Sequence, residues 1–332
     1  MKKVLILSVL AFVFLSYCVQ QVQEKKTKIT DMAGREISIE KLERIVALNS
    51  ESLEMLYLLG ESGKVVGVGS WSKQDPILSK VFNFSGVFDV GTASRPNVEA
   101  IISLNPDLVI TYYCGGTQYG YETPKEIVEK LESAGIPVFG ICIAVVKPAD
   151  WGQYYEMIEK LGKLLKKEER AKKIEMKLRS IFDEFQKNVS RVERKVRVVY
   201  SWNEMNRIAG NSTIMNVLIE IARGENIGKD VPEPYATVNP EFIVERNPEI
   251  WIIWKAAKYN SSDVLKDQRF KDVNAIKNGK VFKEPDLGSN WHPVRAHLYL
   301  LWHGKIYYGI PDFDLKAKEI CKYFYGIECL WS

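Results

Sequence analysis

The chain has 332 residues, of which 46% are apolar and 27% charged, with a net charge of +4. That length predicts about two domains, and the apolar fraction is enough to fill two cores. The small net charge excludes the concentrated basic footprint of a nucleic-acid binder.

Lys2 and Lys3 precede an apolar run over residues 4–14. The run is too short to cross a bilayer core of about 30 Å, which takes roughly 20 helical residues. Basic residues followed by a short apolar core read as a secretory signal. Leu15-Ser16-Tyr17-Cys18 then resembles the lipobox of secreted lipoproteins, although Tyr17 stands where that pattern has a small residue. The expectation is a signal peptide at 1–17 and a polar, lipid-anchored tether at 18–28. Cys18 would carry the lipid and hold the chain on the outer face of the cell membrane. Of the later cysteines, Cys114 and Cys142 end or lie in runs that can be neighbouring parallel strands, and Cys321 and Cys329 are close in sequence. Outside the cytosol such pairs can form disulfides.

From residue 30 strands and helices alternate. Residues 44–48 (RIVAL) form a strand, and Asn49-Ser50 can cap a helix that Gly60 ends. Residues 65–68 form a second strand, 97–104 a short helix broken by Asn105-Pro106, and 108–112 a third strand. Pro124 opens a helix that Gly135 closes, and 138–141 form a fourth strand. The stretch 149–194 has no strand signal. Apolar residues recur there at helical spacing, at Met157, Leu161, Leu164 and Leu165 and again at Ile174, Leu178, Ile181 and Phe185. Two helices are expected, the second long and charged on its outer face. The alternation then resumes with strands at 196–200, 250–254 and 281–282 and helices at 214–222, 241–246 and 297–307. This pattern implies parallel sheets with helices on their faces. The predicted organisation is an N-terminal α/β lobe at 29–166, a connecting helix at 167–194 and a C-terminal α/β lobe at 195–332.

A unit occurs twice. NVEAIISLNPDLVI begins at Asn97, and NPEFIVERNPEIWI begins at Asn239. Each has a glutamate two residues in (Glu99 and Glu241), then Asn-Pro-acid, then an apolar strand. One copy falls in each lobe, so the lobes read as two versions of one design with a ligand cleft between them.

Motifs for catalysis are missing: there is no GxxxxGK[ST], no GxGxxG after a strand and no GxSxG. His292, His297 and His303 are spaced so that one helix cannot bring them to a single metal. Aromatics, by contrast, gather at strand ends: Trp71, Tyr112, Trp202, Trp254 and Trp291. In parallel sheets ligands bind beyond the carboxyl ends of strands, so these residues are placed to line a cleft. Arg95, His292 and Arg295 are polar candidates for the same cleft, since a guanidinium recognises oxyanions in bidentate fashion.

TDMAGREISI, RIVALNSESLEMLYLLG, KVVGVGSW, VGTASRPNVEAIISLNPDLVI, GENIG and RFKDVNAIKNGKVF stand in one order over about residues 28–328. Together they resemble the binding proteins for iron–siderophores and vitamin B12 that serve ABC importers. The resemblance implies two Rossmann-like α/β lobes joined by a long rigid helix, with the ligand held between them and no enzymatic activity. It implies delivery to a permease dimer driven by a cytoplasmic ATPase. On this reading Glu99 and Glu241 dock with permease arginines, one from each lobe, and Trp71, Arg95, Tyr112, Trp202, Trp291, His292 and Arg295 contact the ligand. The protein acts as a monomer, needs no cofactor and has no direct metal ligand. Aromatics plus arginines favour an iron(III)–siderophore, with a corrinoid second. Haem would need Tyr112 or His292 as axial ligand, and molybdate or tungstate would need a smaller, more polar pocket.

Overall fold

A computed structural model describes residues 27–115, 121–143, 150–310 and 312–329. The signal peptide, Cys18 and most of the tether lie outside the described residues. Strands β1 (Thr27–Thr30) and β2 (Glu36–Ile39) form an antiparallel hairpin ahead of the first lobe.

The first lobe is built on β3 (Ile45–Ala47), β4 (Val65–Val68), β5 (Phe88–Asp89), β8 (Leu108–Tyr112) and β9 (Val138–Ile141), in the order β5-β4-β3-β8-β9 and all parallel. Its helices include α1 (Ser50–Leu59), α2 (Ser70–Lys73), α3 (Leu78–Val81), α4 (Val98–Ser103) and α5 (Lys125–Ser133). Gly60 ends α1 in the left-handed conformation, φ +82°, where a Cβ would be strained. A second hairpin, β6 (Gly91–Thr92) with β7 (Arg95–Pro96), leads into α4.

Helices α6 (Gly152–Leu164) and α7 (Glu168–Val189) follow. The 22 residues of α7 span about 33 Å at 1.5 Å per residue. Ala171, Ile174, Leu178, Ile181, Phe185 and Val189 form its buried stripe. The same apolar cluster takes residues from both lobes and from α12 (Pro293–Tyr308), so α7 is packed along its length and does not stand free as a strut.

The second lobe contains β10 (Val196–Ser201), β11 (Arg207–Ala209), β12 (Gly224–Asn226), β13 (Tyr235–Thr237), β14 (Ile250–Ile253) and β15 (Val281–Lys283), ordered β13-β11-β10-β14-β15 with β12 beside β10. β10, β14 and β15 are parallel neighbours, as β3, β8 and β9 are in the first lobe. The remaining helices are α8 (Ile214–Ile221), α9 (Pro240–Arg246), α10 (Ser261–Lys266), α11 (Asn274–Lys277), α12 and α13 (Asp312–Tyr325). The doubled sequence unit is therefore α4–β8 in one lobe and α9–β14 in the other.

Both cysteine pairs are joined. Cys114–Cys142 links the chain just past the neighbouring strands β8 and β9, and Cys321–Cys329 ties the end of the chain back to α13. None of the helices among the described residues is long and apolar enough to cross a membrane.

Candidate functional site

The carboxyl ends of both sheets open on one cleft of about 770 Å³. The first lobe supplies Asn49, Ser50 and Glu51 after β3, Trp71 on α2, Thr92 to Ser94 on the β6–β7 hairpin, and Tyr112 at the end of β8. The second lobe supplies Tyr200 and Trp202 around the end of β10, Arg207 and Tyr235 from the antiparallel strands, Trp254 and Lys255 after β14, Glu284 after β15, and residues 288–291 before α12.

Trp71 is the most open of these aromatics, 68% exposed. Its position depends on Gly69, where an added Cβ would lie 2.1 Å from the Leu48 carbonyl. Across the cleft the Trp202 ring stacks on Tyr235, with centroids 4.8 Å apart and planes 21° apart, and lies 5.3 Å from Trp254. The Arg207 guanidinium sits over Trp202, 4.6 Å from its centroid. Trp291 meets the rings of Tyr112 and Tyr121 edge-on, at 5.3 and 4.8 Å.

Four of the seven residues expected to contact ligand line the cleft: Trp71, Tyr112, Trp202 and Trp291. Three are placed differently. Arg95 is exposed on β7, next to the lining Ser94, and is outside the lining itself. His292 and Arg295 are fully buried, because three carboxylates of the first lobe draw them inward. His292 Nδ1 lies 2.9 Å from Glu54 Oε2, and its Nε2 lies 3.4 Å from Glu51 Oε1 and 3.0 Å from Ser50 Oγ. Arg295 Nε donates to Glu54 Oε2 at 2.7 Å, and Nη1 donates to Asp75 Oδ2 and to the Leu287 carbonyl, the latter at 3.1 Å. Gly288, at φ +81°, leaves the room this requires, since a Cβ there would fall 1.8 Å from Arg295 Nη1.

These contacts cross from one lobe to the other beneath the cleft. Burial opposes charge on Asp75, but Arg295 and then His292 outweigh it and hold its pKa down to about 2. Burial likewise opposes charge on Glu54, and Arg295 and His292 again prevail, so its pKa lies below the usual carboxylate value. Tyr112 donates its hydroxyl to Glu51 Oε2. Burial, and then the neighbouring Glu51, push the Tyr112 phenol well above its ordinary pKa.

Glu284 is different in kind. Its Oε2 accepts from the Tyr200 hydroxyl at 2.9 Å and from the Lys255 backbone N–H at 3.3 Å. Burial raises its pKa to about 7, against those hydrogen bonds and Lys255. His297 and His303 are buried away from the cleft, and burial lowers them to about 4 and about 3, so both are neutral at pH 7.

Sequence reasoning missed Arg207, Lys255 and Glu284. Arg207 and Tyr235 ride on three-residue antiparallel strands that leave no periodic signal. Lys255 directly follows one predicted parallel strand and Glu284 lies two residues past another, so the strand-end rule that found Trp254 extends to them.

Glu99 lies in the first turn of α4 and Glu241 in the first turn of α9, and both are exposed. Glu99 meets Lys130 Nζ at 2.9 Å.

A family model for periplasmic binding proteins matches residues 45–286. An uncharacterized ABC transporter substrate-binding lipoprotein of Bacillus subtilis is 26% identical over 84% of this chain and 88% of its own length. A vitamin B12-binding protein of Vibrio campbellii is 28% identical over 75% of this chain and 82% of its own. Among solved structures, a periplasmic solute binding protein of Veillonella parvula superposes with a TM-score of 0.75 at 23% identity, covering 92% of this chain and 94% of that one.

Proposed function

The chain belongs to the periplasmic binding protein family and is a substrate-binding protein of an ABC importer; on that premise we propose that its cargo is a bulky, largely uncharged metal chelate of the corrinoid type. The observation that carries this reading is the aromatic lining of the cleft: Trp71, the Trp291–Tyr112–Tyr121 group and the Trp202–Tyr235–Trp254 group. Flat apolar surfaces recognise a large ring system through burial of area. The volume of about 770 Å³ suits a ligand of drug size or more. A tetrahedral oxyanion would leave most of it to water.

Charge points the same way. The lining holds two acids, Glu51 and Glu284, and two bases, Arg207 and Lys255, and Lys255 is already engaged by Asp286 at 3.0 Å. The expected preference for an anionic siderophore rested on the tryptophans together with Arg95 and Arg295, and only the arginines distinguish it from an uncharged chelate. With Arg95 off the wall and Arg295 buried in carboxylates, that support is gone. A haem reading loses its axial ligands, because the Tyr112 hydroxyl is held by Glu51 and His292 is buried. One feature favours a siderophore as the second reading: Arg207, spread over Trp202 at the wall, could take a carboxylate of a ferric chelate.

The mature chain works as a monomer on the outer face of the membrane, tethered through Cys18, and presents Glu99 and Glu241 to a permease dimer with a cytoplasmic ATPase. It binds and releases its cargo and does not transform it. The test is tryptophan fluorescence of the mature chain, titrated with cyanocobalamin, a ferric hydroxamate, haemin and molybdate. Saturable quenching by cyanocobalamin at about micromolar or below, weakened about tenfold or more by Trp202→Ala, is the expected result. Quenching by the ferric hydroxamate alone, lost in Arg207→Ala, would transfer the assignment to the siderophore.

A further inference from the structure

Glu284 is 7% exposed, and what remains open belongs to the cleft. Of its two carboxyl oxygens, Oε2 takes both donors, the Tyr200 hydroxyl and the Lys255 N–H. Oε1 is buried and has no hydrogen-bond partner among the described residues. A buried carboxylate oxygen without a donor is costly, and the cost vanishes when that oxygen carries a proton that finds an acceptor.

The groups around it support the charge only in part: the Tyr200 hydroxyl, the Lys255 N–H and the Lys255 ammonium favour the anion, and burial outweighs them. Tyr200 faces it from β10, Tyr235 from β13, and Tyr299 and Tyr307 from α12, all with phenols held neutral by burial. The cation acting on it is Lys255, just past β14, whose ammonium meets Asp286 at 3.0 Å. A ligand seated on the wall removes the last water and disfavours the anion further.

We infer that Glu284 is a specificity-determining residue of the cleft, acting as a neutral carboxylic acid whose Oε1–H donates to an oxygen acceptor, an amide or carboxylate oxygen, on the face of the cargo. The terminal torsion of a glutamate is broad, so the carboxyl can turn toward the ligand without leaving its rotamer. The site therefore selects for a ligand presenting oxygen there and against one presenting an ammonium or an exposed metal ion. Capture weakens as the solution becomes alkaline, because the binding form is the protonated one. The near-neutral pKa of Glu284 places this change in the physiological range.

This inference rests on the corrinoid reading only through the choice of probe. Cyanocobalamin, which carries peripheral amides, would be titrated between pH 5.5 and 8.5. The expected result is a constant dissociation constant below about pH 7 and a loss of up to about tenfold per pH unit above it. Glu284→Gln, whose amide N–H donates at every pH, should bind with nearly the acid-limit affinity throughout. Tyr200→Phe removes a hydrogen bond that favours the ionised form, so its transition should move to higher pH. Affinity that rises with pH, or an identical pH profile in wild type and Glu284→Gln, would overturn the proposal. If cyanocobalamin is silent at every pH, the corrinoid reading fails by itself. The proposal is then decided by the infrared spectrum of the ligand-free protein. A carboxylic-acid C=O band at pH 6 that is lost in Glu284→Gln supports it, and no such band overturns it.

Discussion

Asn105 and Asn247 hold the same left-handed backbone conformation, φ +45° and +44°, at matching points of the two lobes. Each closes the short helix of the doubled unit, and each precedes a proline and an acid. The acids also match: Asp107 accepts the Arg44 N–H at 2.8 Å beside β3, and Glu249 accepts the Arg197 N–H at 3.2 Å at the start of β10. The repeat is thus a joint that ends a helix, turns the chain and pins the neighbouring parallel strand. Asparagine tolerates the left-handed region better than other side chains, and glycine better still. Asn105→Ala should cost about 1 kcal/mol while Asn105→Gly is nearly neutral. Asn247 also accepts the Asn274 N–H through its side chain, at 2.8 Å. Asn247→Gly should therefore destabilise where Asn105→Gly does not. Urea denaturation of the three variants compares the two sites directly.

That joint shows what the sequence could reveal. Period, caps and Asn-Pro breaks are local, so the parallel strands β3, β4, β8, β9, β10, β14 and β15 and the long α7 were legible, as were the tryptophans at strand ends. The hairpins, β11 and β13, and the helix α13 were not, since their strands are four residues or fewer or their pattern blends into a charged tail. The direction in which a polar residue faces is not local at all. His292 and Arg295 sit in the loop and helix expected to border the ligand, yet Glu51, Glu54 and Asp75, more than 200 positions earlier, turn them inward.

The cluster crossing the lobes should dominate the response to mutation. Removing Arg295 leaves Glu54 and Asp75 buried without their cation. Such a loss costs about 3–5 kcal/mol, whereas replacing a whole buried charge set by uncharged groups can be neutral. Arg295→Met should therefore lower stability severely, and the combination with Glu54→Gln and Asp75→Asn should restore much of it. A triple variant no more stable than Arg295→Met would show that the arginine matters through packing and not through charge.

Acid stability follows from three buried groups. His297 and His303 have folded pKa values of about 4 and about 3, below the ordinary 6.5. Their depressed values contribute stability that is complete above pH 6.5 and is lost as pH falls toward those values, on the order of 3 kcal/mol apiece. Glu284 acts oppositely. Its folded pKa of about 7 lies above the ordinary 4.5, so its contribution is complete below pH 4.5 and is lost as pH rises through 7. Between pH 7 and 4.5 the two histidines should outweigh the one glutamate, and the urea midpoint should fall. Glu284→Gln should steepen that fall, and His303→Leu should flatten it. A wild-type midpoint that rises on acidification would contradict the balance.

The proposed docking role of Glu99 and Glu241 can be tested separately from the cleft. Glu99 and Glu241 occupy first turns of equivalent helices, where the helix dipole favours a negative charge. That alone is reason enough for an acid at either place, so stability measurements cannot reveal docking. The Lys130 partner of Glu99 is itself half exposed, and an exposed pair of this kind contributes little and is readily given up to another cation. An arginine of a permease would form a stronger, bidentate contact once water is excluded. Glu99→Ala and Glu241→Ala should thus lower stability by no more than about 1 kcal/mol each and leave the ligand dissociation constant unchanged. Each should reduce ligand uptake through the cognate permease about tenfold, and the double variant should abolish it. Because the two sites lie on separate lobes, each singly weakened complex should retain one contact and part of the transport. Uptake at the wild-type rate by both single variants, with the permease present at normal level, would remove docking as the role of the repeated glutamate and leave it a helix-terminal charge.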